Sequence, residues 1–466
     1  MQKKTIILLL LVISFTTLKC QEWSYEFNGI DSLYNGTGGM ISVYDLFNYQ
    51  DEVLYIGGAF EKANSTDVHS VVKWDGDTIN GFTMGVYGVA YAVSIYQDTL
   101  YVGGDFPHAS NQPNTANLVI WNGTNWQTAP IGKPSGHVYD FCVFRDTLYI
   151  SGNFESFNYV EYYKIAAYSN GQNINVGNMG MWTRALVSFN GDIYAGGYYG
   201  LRRHISGTEW ETLPVQTNGD VLDLITDTIN SFLYVGGYFT EIEGEPSYGN
   251  AMWDGFKWNT MGDYCTMSPM YQALAVYRGD LYVSGRHIGE GEDIRLSIDR
   301  WDGEQWDSIG GAFNNGILAL EVFRDTLIIG GNFTYSNDVR AYGLTKLYMP
   351  DNGCDYLKPR INTYADTFYL YGGEVDVNLY NNNPYADSWE WDFTSTSSVT
   401  IPPPSNERNP IVTFSEVGEY NVQVTVTDGE CVKTANKTIY IELGNEVPEF
   451  EQIDMQIFPN PTSHDF

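Results

Sequence analysis

Positive charge is scarce in this chain of 466 residues: 24 lysines and arginines stand against 57 aspartates and glutamates, a formal net charge of −33. That balance argues against a nucleic-acid partner, because phosphate binding needs a basic surface. Long helix-type stretches are missing too, while 36 tyrosines, 48 glycines and 12 tryptophans favour an all-β chain. Beyond the N-terminus no apolar run is long enough to span a bilayer. Cysteine is sparse, with five residues and no pair at the close spacing of a zinc site. The six histidines are scattered without HxH or HExxH spacing, and neither a nucleophile elbow nor a phosphate-cradling glycine loop occurs. The sequence therefore nominates no catalytic residue, no metal ligand and no cofactor. Calcium would suit so acidic a chain, but no EF-hand-like loop supports it.

Residues 1–20 read as an export signal, with Lys3 and Lys4 ahead of an apolar run from Ile6 to Phe15. Cleavage is expected before Gln21; the alternative, a lipidated Cys20, fits poorly with Lys19 where a small residue is expected. Export permits disulfides. Cys354 and Cys431 bracket the later part of the chain and are the candidate pair, whereas Cys142 lies in an apolar strand as a small packed residue.

The dominant feature is a repeat. LYIGGAF from Leu54, LYVGGDF from Leu100, LYISGNF from Leu148, LYVGGYF from Leu233 and LIIGGNF from Leu327 are close copies, and IYAGGYY from Ile193 and LYVSGRH from Leu281 weaker ones. The second glycines recur every 40–48 residues, a period typical of propellers and solenoids. Each repeat holds four strand-like pieces. Polar turns such as YQDTL and FRDTL join the first to the second, and WNGTNW, WDGFKW and WDGEQW join the third to the fourth. The recurring tryptophans fill space between neighbouring sheets rather than stack ligands. The seventh repeat stops after its third strand, and EWSYEFNG from Glu22 matches the fourth-strand pattern. The expected fold over 21–350 is a seven-bladed β-propeller of four-stranded blades, the last closed by the N-terminal strand, which removes exposed sheet edges. The Gly-Gly doublet ending the second strand, with a tryptophan on the fourth, resembles kelch-like propellers, a family that hosts enzymes and binding proteins alike.

In such a fold the loops joining second to third strands share one face, and binding resides on loops of a rigid scaffold. After each glycine pair comes a variable residue and then, almost always, an aromatic. Successive strand residues face opposite ways, so the aromatics pack and the variable residues face the loops. The departures Tyr198, Tyr238, Arg286 and His287 are the candidate binding residues, with Arg286 suited to an anionic or hydroxylated ligand. Divergent packing of two weaker blades accounts for them as well.

Residues 354–443 read as a small β-sandwich with strands at Val375–Tyr380, Trp389–Phe393, Ile411–Phe414, Glu419–Thr427 and Thr434–Glu442. WEWDF and VGEYNVQVTVTDG resemble a PKD domain, an immunoglobulin-like module that commonly acts as a spacer or contact unit. After an acidic linker at 444–453, residues 454–466 (MQIFPNPTSHDF from Met455) resemble the opening of a type IX secretion C-terminal sorting domain, truncated here. The resemblance implies a Gram-negative bacterium whose secretion machinery takes this segment, with the protein secreted or held at the outer surface. These readings together suggest an extracellular binding or adhesion protein that recognises a glycan or protein ligand. A propeller oxidase or glycoside hydrolase, and a structural envelope component, are the alternatives.

Overall fold

The computed structural model describes residues 22–24, 33–34 and 41–444, apart from short interruptions, the longer ones at 214–218, 262–272, 289–293 and 349–353. The export signal, nearly all of the linker and the sorting segment lie outside the described residues. The chain divides into two compact units, Met1–Asp355 and Tyr356–Phe466. Among the described residues both are all-β and no helix is long and apolar enough to cross a membrane.

The first unit is a succession of small antiparallel sheets, numbered here 1 to 7, spanning 42–81, 89–128, 138–174, 183–212, 220–260, 274–313 and 317–348. Within each, consecutive strands are hydrogen-bonded neighbours, and sheet 7 takes Glu22–Ser24 as its fourth strand, Trp23 lying opposite Leu347. The first strands are Ser42–Tyr49, Val89–Tyr96, Val138–Phe144, Thr183–Phe189, Asp220–Asp227, Leu274–Tyr277 and Ile317–Phe323. Each packs against the next, and the last returns to the first.

The glycine doublet explains this packing. A Cβ on the first glycine would collide with the following sheet: Gly103 with Val138, Gly196 with Val221, and Gly330 with Val43 of sheet 1. A Cβ on the second would collide with a first-strand carbonyl, as Gly104 would with that of Val89. That close carbonyl lies just ahead of a β-bulge. Register slips by one residue between Val43 and Asp45, Val138 and Asp140, Thr183 and Ala185, Val221 and Asp223, and Ile317 and Ala319. A bulge re-aims the extra side chain and sharpens the local twist. Here it turns out Tyr44, Tyr139, Arg184, Leu222 and Leu318, and Tyr91 in sheet 2, where Ala90 and Ala92 pair with consecutive glycines.

The aromatics after the doublets are buried: Phe60, Phe106, Phe154, Phe239 and Phe333. The hairpin tryptophans also pack between sheets. Trp121 and Trp126 meet edge-on at 5.2 Å against Phe82 just after sheet 1, and the Trp306 indole donates to the Met261 carbonyl of sheet 5's trailing segment.

The second unit pairs a four-stranded sheet (Thr367–Leu370, Cys431–Leu443, Gly418–Asp428, Ser388–Thr394) with a two-stranded one, Val375–Asn378 and Ile411–Phe414. Trp391 and Tyr420 are fully buried in the shared core. The Tyr420 hydroxyl donates to the Glu416 carbonyl at 2.9 Å, a tyrosine corner that ties the strand start to the turn before it. The opening strand Thr367–Leu370, parallel to the C-terminal one, is additional to those expected from sequence.

Candidate functional site

The bulges place a row of large side chains at the end of the first strands that also carries the second-to-third-strand loops. Tyr44 and Tyr91 meet edge-to-face at 5.1 Å, and Tyr91 and Tyr139 at 5.7 Å. The Arg184 guanidinium continues the row, 5.6 Å from the Tyr139 ring centre. Offset and edge-on geometry of this kind is the favoured arrangement of aromatic quadrupoles, and a cation over the ring face is attracted to it. Four successive sheets thus contribute one residue each to a single arc.

His137 stands beside the arc, 6.5 Å from Tyr91 and 6.3 Å from Tyr139. Its Nε2 lies 3.2 Å from Asp105 Oδ1, and Asn153 pins its backbone by accepting the His137 N–H at 2.6 Å. Asp105 and Asn153 belong to the variable series after the glycine pairs. The Tyr91 hydroxyl is pushed up to about 12, first by burial and then by the Tyr44 and Asp105 neighbours, while Arg184 opposes the rise. Tyr139 is raised too, mainly by burial, with Arg184 opposing the rise and Asp105 adding to it. At neutral pH these phenols remain neutral donors.

Beneath the arc lies a set of carboxyls. The residue following the bulge is Asp45, Asp140 and Asp223 in sheets 1, 3 and 5, but Ala92 and Ala185 in sheets 2 and 4 and Ala319 in sheet 7. Sheet 7 carries Glu321 two residues further on. Each aspartate accepts one N–H from its own strand and one from the next sheet: Asp45 from Val93 at 2.7 Å, Asp140 from Leu186 at 2.6 Å, Asp223 from Leu274 at 2.8 Å. Glu321 accepts from Val322 at 2.8 Å and from the Asn48 N–H of sheet 1. The carboxyls retain some accessible surface but are crowded by protein, and the lost hydration dominates. Asp45 is pushed up to about 6, Asp223 to about 7 and Glu321 to about 8, and Asp140 well above the usual carboxylate range. Asp45 repels Asp140, Asp223 and Glu321, so carboxyls from non-adjacent sheets face a common interior. All four staple one sheet to the next. Among the described residues no group of three or more His, Cys, Asp or Glu is placed to hold a metal.

Of the residues expected from sequence, Tyr198 and Tyr238 stand exposed at the loop-bearing ends of sheets 4 and 5. Arg286 and His287 lie within the second strand of sheet 6, opposite Leu296 and Arg295, and their side chains are outside the described residues. Cys354 and Cys431 are each disulfide-bonded, while Cys142 is a free thiol pushed up to about 12 by burial. The repeat motif does not mark the arc. Its signal was VYD at 43–45 and 138–140 with VLD at 221–223, visible only when first strands are aligned with one another.

No family model matches the chain, and no curated protein does. Solved structures match at low similarity. The extracellular domain of a one-component system from B. thetaiotaomicron is 12% identical with a TM-score of 0.45, covering 91% of this chain and 60% of its own. This chain therefore spans about three fifths of that domain's length. A triple-arginine mutant of AofleA from Arthrobotrys oligospora is 11% identical with a TM-score of 0.31, covering 71% of this chain and 91% of its own. An exo-β-1,3-galactanase from Phanerochaete chrysosporium, solved with β-1,3-galactotriose, is 9% identical with a TM-score of 0.25, covering 91% and 95%. Likenesses this distant assign the chain to no family, and its function has to be argued from its own residues.

Proposed function

We propose that the first unit is a seven-bladed, kelch-like propeller of an exported protein, and that its loop-bearing face binds an extracellular glycan. The observation that carries this reading is the Tyr44–Tyr91–Tyr139 arc, with Arg184 at one end and the His137–Asp105 pair alongside. Aromatic faces stack on the apolar faces of sugar rings, and neutral phenols, a carboxylate and an imidazole supply the partners that hydroxyls need. The sandwich acts in this reading as a PKD-like spacer closed by a Cys354–Cys431 bridge. The C-terminal segment directs secretion to the outer surface of a Gram-negative cell.

A glycoside hydrolase would need two carboxyls aimed at a bound sugar. The four carboxyls with raised pKa are instead engaged with backbone N–H groups of neighbouring strands, so no observation favours the enzyme reading over binding. A glycan array read together with a reducing-sugar assay tests the proposal. Binding without product, lost in a Tyr91→Ala/Tyr139→Ala variant, is the expected result; binding unchanged in that variant would remove the arc from the site, and product formation would convert the protein to an enzyme.

A further inference from the structure

The loop-bearing edge is uneven in a regular way. Sheets 1, 3, 5 and 7 each raise a small hairpin between their second and third strands, at 62–67, 156–161, 241–246 and 335–340. Sheet 4 instead turns back directly, Gly197 pairing with Gly200. The edge is therefore low at sheet 4, between the hairpins of sheets 3 and 5.

Exposed ring surface and an unmatched charge coincide in that gap. Trp182 is 49% exposed and Tyr198 50%, and their backbones are joined by the Tyr198 N–H donating to the Trp182 carbonyl at 3.1 Å, which sets the two residues side by side. Two residues beyond Trp182 stands Arg184, itself exposed. In a chain of net charge −33 its guanidinium forms no ion pair among the described residues. Many other cations find acids, among them Arg203 with Glu211, Arg278 with Asp325, Arg300 with Asp307 and Lys164 with Glu155, and Arg324 donates to backbone carbonyls. Arg145 and Arg340 stack on rings one and two residues away in their own sheet, Phe144 and Tyr342. Arg184 differs because its ring partner, Tyr139, belongs to another sheet and to the arc. A planar guanidinium with its donors uncommitted is the side chain best matched to a carboxylate, which it takes two-pronged.

We propose that this gap is a subsite for a carboxylate-bearing sugar, a uronate or similar acidic residue of a glycan. The sugar ring stacks on the Trp182–Tyr198 surface, its carboxylate accepts from Arg184, and the next ring runs along Tyr139 and Tyr91. There the Asp105 carboxylate accepts from sugar hydroxyls rather than meeting a second acid, because His137 already holds it on one side. The inference rests on the glycan-binding reading and narrows it.

Titration calorimetry of the full chain with an oligosaccharide bearing a single terminal uronate on otherwise neutral sugars, its methyl ester and a neutral oligoglucan tests the idea. The ester removes the charge while keeping the ring. The free acid is expected to bind about tenfold or more tightly than its ester, the scale of a charge-assisted hydrogen-bonded pair. Arg184→Gln is expected to erase that preference, so that acid and ester bind alike, and Trp182→Ala to weaken both. Equal affinity for acid and ester, or a preference that survives Arg184→Gln, overturns the acidic subsite and leaves glycan binding standing. Absence of binding to all three sugars, extended to an array, overturns both readings together.

Discussion

At the scale of single residues the buried carboxyls make the most definite prediction. Asp45, Asp223 and Glu321 ordinarily titrate near 4 but are held at about 6, 7 and 8, and Asp140 is raised as well, mainly by burial. The folded chain thus holds these protons more tightly than the unfolded one. For Asp45, Asp223 and Glu321 the resulting stabilisation is complete below the unfolded values and is lost as pH rises through the folded ones, between about 6 and 8. Each tenfold gain in proton affinity on folding corresponds to roughly 1.4 kcal/mol, so these three groups together leave the protein less stable at pH 8 than at pH 5 by on the order of a few kcal/mol. Urea midpoints at the two pH values check this, and a higher midpoint at pH 8 would contradict it. Asp223→Asn sharpens the test. Both Asp223 oxygens accept backbone N–H groups, so the amide nitrogen must face a donor, and the variant should cost about 1–2 kcal/mol at pH 5. The penalty should shrink at pH 8, above the value of about 7 to which Asp223 is raised, where wild type itself buries a charge. An equal penalty at both values would mean that Asp223 does not titrate in this range.

At the scale of elements, the doublet was readable as a strand end because it recurs with fixed neighbours. What its glycines do was not readable, since each answers to a different chain segment. Gly330 shows this: its missing side chain makes room for Val43, far away in sequence and in the sheet that meets the last one. Gly330→Ala should overpack that contact at a cost of about 1–3 kcal/mol. Gly57→Ala, where the next sheet's Val93 and Ala90 leave more room, should cost less, and denaturant midpoints of the two variants decide the order. The bulge residues escaped for a related reason. Second strands share a motif, whereas first strands share only a pattern that changes identity from sheet to sheet, aspartate then alanine over sheets 1 to 5. The two-sheet period in hairpins and carboxyls is invisible to a one-sheet ruler. Tyr198 and Tyr238 fell within reach of that ruler, and Tyr91, Tyr139 and Arg184 did not.

At the scale of the first unit, closure is made at several depths. Glu22–Ser24 pairs with Leu344–Tyr348, Glu321 reaches the Asn48 N–H, and on the opposite face Arg324 Nε donates to the Asp51 carbonyl at 2.9 Å. The outermost of these is the short N-terminal strand, and it also carries Trp23, whose ring meets Phe313 edge-on at 5.9 Å against Gly311 of sheet 6. Removing it does two things. The backbone of Leu344–Tyr348 becomes an unpaired edge, which templates association between chains. The loss of a tryptophan from a sheet-to-sheet contact costs about 3 kcal/mol or more. Trp23→Ala separates the two effects, because it keeps the backbone pairing. A chain beginning after Ser24 should therefore melt lower than wild type and form higher-order species on size exclusion, whereas Trp23→Ala should melt lower but stay in the wild-type elution position. If the truncated chain matches wild type in both measurements, the inner contacts of Glu321 and Arg324 close the ring without the strand, and the edge it covers is protected by something else.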